Sequence, residues 1–130
     1  MRGQFSISRR ILAWVDFRGR KPGMVAFVIH RVTGVGLLLY LLAHFVVLSL
    51  LAAGPEAWDR FVAVAKTPPM LALDVLLVAA LLVHGLNGIR LSALGLGFGA
   101  LRYRQLIWVT WVISAVVTAA VGYGIFATGG

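Results

Sequence analysis

Among the side chains that could do chemistry, His84 is the most informative. It sits in Leu81-Leu-Val-His84-Gly-Leu-Asn-Gly88-Ile-Arg90-Leu91, within an apolar stretch long enough to be a transmembrane helix. Ala80 and Gly88 flank it four residues away on either side, so the three share one helix face, one turn apart. Two small side chains leave room beside the imidazole for a flat, bulky group, and a haem with its iron on His84 is the natural candidate. Ala26-His30-Gly34 repeats the spacing in an earlier apolar stretch. His30 and Arg31 offer fixed donors to haem propionates or to a quinone carbonyl. His44 has Tyr40 and Leu48 at the same spacing, which leave less room. The plainer readings are specific too. A histidine in a membrane helix is more often a helix–helix hydrogen-bonding group, and Arg31 and Arg90 could snorkel to headgroups. Asp74 could pair with a partner helix, accept from a histidine N–H, or serve a proton relay.

Composition sets what must position these residues. The chain has 130 residues, 61% of them hydrophobic and 12% charged. A soluble domain of this size does not need that much apolar surface, so the class is membrane and the length allows one bundle. The formal net charge of +8 would suit nucleic acid, but its clustering on flanks reads as membrane topology, and nucleic acid is not expected as a partner. Without cysteine there is no disulfide, thiolate cluster ligand, covalent haem attachment or thiol nucleophile.

In chain order, residues 1–23 are basic, with Arg2, Arg9, Arg10, Arg18, Arg20 and Lys21 against Asp16. Ile7, Ile11, Trp14, Val15 and Phe17 interleave at roughly helical spacing, predicting a short amphipathic helix on an anionic lipid surface. Residues 24–130 form the membrane unit, with spans over 24–53, 69–91 and 106–127. Gly54-Pro55 ends the first, Glu56 to Thr67 reads as a surface helix anchored by Trp58 and Phe61, and Pro68-Pro69 opens the second. Ser92 to Gln105, rich in glycine and basic, reads as a loop.

The fold predicted is all-α and integral to the membrane, with three transmembrane helices. Basic residues flank the first span's start and fill the second loop, which places the N-terminus in the cytoplasm and the C-terminus outside. Three helices are few for a channel or transporter, so the chain should be half of a heteromeric bundle. Measured by helical rise from the cytoplasmic face, His30 lies about 9 Å deep, His84 roughly 18 Å and His44 about 30 Å. His44 and His84 then stand about 12 Å apart in depth, too far to hold opposite faces of one haem. If both bind iron there are two haems, each taking its other axial ligand from a partner chain.

Phe27-Val-Ile-His30-Arg31-Val-Thr33-Gly34, followed by His84-Gly-Leu-Asn-Gly88-Ile-Arg90, resembles the cytochrome b anchor subunit of succinate dehydrogenase (complex II). That family carries S-x-x-H-R-x-[ST]-G in its first span and H-x-x-x-G-x-R late in its second. The resemblance covers nearly the whole chain. It implies a subunit of succinate:quinone oxidoreductase in a bacterial cytoplasmic membrane. Its partners would be a second small membrane anchor, an iron–sulfur subunit and a flavoprotein that oxidises succinate. It also implies His84 as axial ligand to haem b, with Gly88 beside it, and His30 and Arg31 at the propionates and the quinone. Phe27 stands where relatives often have a quinone-contacting serine. His44 is similar to the first-helix ligand of two-haem relatives, so the expectation is one haem, with a second to be tested. The alternatives are the anchor of a quinol:fumarate reductase, or a cofactor-free helical assembly subunit whose histidines only pack.

Overall fold

A computed structural model of the chain describes residues 21–98 and 100–129. The amphipathic helix expected over 1–23 therefore lies almost wholly outside the described residues. The remainder is helical: α1 Pro22–Ala52, α2 Pro55–Ala65, α3 Pro68–Gly95, a 3-10 turn Ala100–Arg102, and α4 Tyr103–Thr128. The helices α1, α3 and α4 have 31, 28 and 26 residues. At 1.5 Å per residue these are about 46, 42 and 39 Å long, each enough for a hydrocarbon core of about 30 Å. Proline opens α1, α2 and α3, where its missing N–H costs nothing and its fixed φ suits a first turn. Gly129, at φ 73°, closes α4 in the left-handed conformation that favours glycine.

The three predicted spans and the surface helix are present, but two boundaries need correction. Ser92 to Gly95, predicted as loop, continue α3, and α4 begins at Tyr103 rather than Leu106. Leu91, Ala93 and Leu94 remain half-buried, and one glycine weakens a helix by about 1 kcal/mol, too little to break it against such packing. The chain instead turns at Gly97, whose φ is 86°.

α3 lies in the middle. It packs along α4 on one side and α1 on the other, whereas α1 and α4 meet only lightly. Ile107, Thr110, Ser114 and Gly122 form the buried stripe of α4. A Cβ on Gly122 would come 3.2 Å from Cγ1 of Val75 on α3, the close approach that small residues allow between membrane helices. Thr110 and Ser114 donate to carbonyls of their own helix, Leu106 and Thr110, both at 2.8 Å, so no hydroxyl of that pair is stranded. α1 is different: it buries only Ala26 and Val28. Val35, Leu39, Leu42, Phe45 and Val46 stand more than half exposed along it, a surface for lipid or further helices.

Candidate functional site in the seam between α1 and α3

The antiparallel packing of α1 on α3 brings the two small–histidine–small patterns together, crossed. The ring of His30 rests on Gly88, with Cε1 3.2 Å from where a Cβ would stand, and the ring of His84 rests on Gly34, with Cε1 at 2.9 Å. The imidazoles stack on each other at a centroid distance of 4.0 Å and an interplanar angle of 6°. Depth counted from span ends put these residues about 9 Å apart, which the stack corrects: α1 starts at Pro22 and α3 ends at Gly95, so His30 lies deeper and His84 shallower than those expectations, and the two rings share one level. The space that helical spacing assigned to a flat cofactor between His84 and Gly88 is filled by the His30 ring.

Hydrogen bonds fix how His84 presents itself. Its Nδ1 lies 3.0 Å from the carbonyl oxygen of His30, which can only accept, so Nδ1 carries the proton and donates. The Thr33 hydroxyl is 3.2 Å from the same nitrogen and donates to the carbonyl of Ile29 at 2.8 Å. A neutral imidazole with its proton on Nδ1 keeps its lone pair on Nε2. A backbone carbonyl holding one ring nitrogen while the other faces a metal is the usual arrangement of a ligating histidine. Among the described residues no three His, Cys, Asp or Glu side chains converge as a metal site.

Toward the ends of the bundle that carry Lys21, Arg102 and Arg104, the seam is polar. Asn87 is 2% exposed and donates from Nδ2 to the carbonyl of Ala26 at 2.9 Å. Arg90 donates to Asn87 Oδ1 from Nε at 3.0 Å and Nη2 at 2.7 Å, and its guanidinium sits 5.4 Å from the centre of the Tyr103 ring. Arg90 is 4% exposed, which corrects the snorkelling reading. The sequence reading missed Asn87; the available signal was an amide inside an apolar span, where an unsatisfied polar group is costly.

The other expected residues lie apart. Arg31 and Phe27 are on the exposed side of α1, the guanidinium 4.4 Å from the Phe27 ring centre. Phe27 thus seats the arginine by a cation–π contact. His44 stacks on Tyr40 at 5.6 Å and, with Asp74, Ala80, Trp58 and Phe61, lines a cavity of about 650 Å³ beneath α2. It lies ten residues, about 15 Å, along α1 from Gly34, the residue facing His84. No hydrogen bond within the described residues orients its ring.

The family model of the succinate dehydrogenase/fumarate reductase transmembrane subunit matches residues 7–124. The chain belongs to that family. Two relatives agree. A succinate dehydrogenase 2 membrane subunit, SdhC, of Mycobacterium tuberculosis is 34% identical over 100 residues, covering 77% of this chain and 71% of the relative. A succinate dehydrogenase hydrophobic membrane anchor subunit of Halobacterium salinarum is 32% identical over 108 residues, covering 82% and 81%. For a succinate dehydrogenase/fumarate reductase membrane subunit, the crossed histidine pair is the most chemically equipped part of the described bundle.

Proposed function

We propose that this chain is the haem-binding membrane anchor of a succinate:quinone oxidoreductase. Its N-terminus would be cytoplasmic and its exposed α1 face covered in part by a second small anchor. The observation that carries the haem reading is the bond from His84 Nδ1 to the His30 carbonyl, which leaves Nε2 as a lone-pair donor on a ring that cannot swing. Haem b, when bound, supplies one-electron storage next to the quinone. The chain's part is positional. Thr33 and the His30 carbonyl hold the imidazole, and the stacked His30 ring fixes its plane. Arg31, braced on Phe27, would donate to the quinone carbonyl and stabilise the negative charge that arrives with electrons. Succinate would be oxidised on a partner flavoprotein and electrons delivered by an iron–sulfur subunit, a division of labour that membership of a transmembrane-subunit family supports.

Both relatives are succinate dehydrogenase subunits, which favours succinate oxidation over fumarate reduction. For His44 a second haem gains less support, since among the described residues no hydrogen bond orients its ring as the His30 carbonyl orients His84.

The test is an absorbance spectrum of the purified complex. A reduced b-type band is expected in the wild type and lost in His84→Ala, with His44→Ala unchanged. A band that survives His84→Ala ends the ligand reading. For the quinone, Arg31→Ala is expected to lose at least tenfold in quinone reduction while succinate oxidation with an artificial acceptor persists. Equal loss of both activities would remove Arg31 from the quinone site.

A further inference from the structure

The seam holds a buried charge that the histidine pair does not use. Two nitrogens of Arg90 are spent on Asn87 Oδ1, and Asn87 is itself tied to the Ala26 carbonyl, so one edge of the guanidinium is bolted to α1 through a single amide. The remaining nitrogen, Nη1, is buried with no hydrogen-bond partner, as is Nδ1 of His30 on the same seam. Among the described residues no acid neutralises this cation. Of the chain's four acids, Asp16 precedes the described residues, Glu56 and Asp59 belong to α2, and Asp74 lies in the opening turns of α3, at the far end from Arg90. Taking a guanidinium out of water without a counter-charge is costly, and a neutral amide and an aromatic face offset only part of that cost. A carboxylate matches a guanidinium edge with parallel, charge-assisted hydrogen bonds.

We propose that the open edge of Arg90 is a carboxylate receptor and that its ligand is a propionate of the haem on His84. This rests on the haem reading above. Arg90 lies six residues from His84 along α3, about 9 Å of helical rise. Arg90, Asn87 and Ala26 are all buried within this chain, so the acid enters between α1 and α3 rather than docking on an outer face. The two arginines then divide the work: Arg90 is the fixed internal counter-charge and a positioning residue, while Arg31 works on the exposed face. A fixed positive charge near the iron favours the reduced state.

The experiment uses the whole purified complex, with resonance Raman spectra of the haem and a spectroelectrochemical titration. Arg90→Lys keeps the charge but not the fork, so the propionate bending band is expected to shift while the potential moves little. Arg90→Gln is expected to shift the band and to lower the reduced-to-oxidised ratio at fixed potential about tenfold, which is about 59 mV for a one-electron couple. Bands and potentials unchanged in both variants overturn the proposal and leave His84 ligation standing. A moved potential with an unmoved band also overturns it, since the acid would not be the propionate. A wild-type complex without haem overturns both readings. If Arg90→Gln does not assemble, the band in Arg90→Lys decides alone.

Discussion

At the scale of single residues, the site depends on two glycines doing different amounts of the same job. A methyl added at Gly34 meets the His84 ring at 2.9 Å and one at Gly88 meets the His30 ring at 3.2 Å. Gly34→Ala is therefore expected to displace the candidate ligand and cost about 1–3 kcal/mol, with Gly88→Ala costing less. Thermal release of haem from the two variant complexes checks the order, and a greater loss in Gly88→Ala would contradict it. The repeated small–histidine–small spacing was legible in the sequence; its crossing was not. Each histidine reads as served by the glycine four residues after it on its own helix, whereas each packs on the other helix's glycine. Which residue faces which depends on the register between helices, and spacing within one helix carries no information about that. Asn87 was overlooked for a related reason: its partners are a backbone carbonyl on α1 and a side chain that sequence placed at the headgroups.

Among the elements, α3 bears most of the packing, and its two faces can be separated by substitution. Gly122 lies against Val75, whereas Gly124 has nothing within 4 Å of where a Cβ would stand. Gly122→Leu is expected to loosen α4 and lower the melting temperature by several degrees while the haem band is retained, because the α1/α3 seam is not touched. Gly124→Leu should leave both unchanged. Loss of haem in Gly122→Leu with normal assembly would show that the site leans on α4. Element existence was legible here because prolines mark three helix starts and the apolar runs are far longer than any soluble helix needs. The end of α3 was not, because glycine spacing reads as a break where half-buried leucines carry the helix onward, and the start of α4 was not, because its first turn is polar and exposed.

For the whole molecule, the charge distribution makes a directional statement that the absence of native cysteine renders easy to check. With the N-terminus inside, Thr67→Cys should react with an impermeant maleimide in intact cells, and Arg104→Cys only after the membrane is opened. The reverse pattern would invert the bundle. The central place of α3 also bears on biogenesis. α1 is synthesised first and finds its principal contact only when α3 follows; α4, made last, adds nothing to the histidine stack. Until then the first span resides in the bilayer with His30 lacking the ring and the glycine it packs on. The histidine seam is thus assembled by the second insertion event, and a nascent chain halted after α3 already holds every residue of the seam except Tyr103.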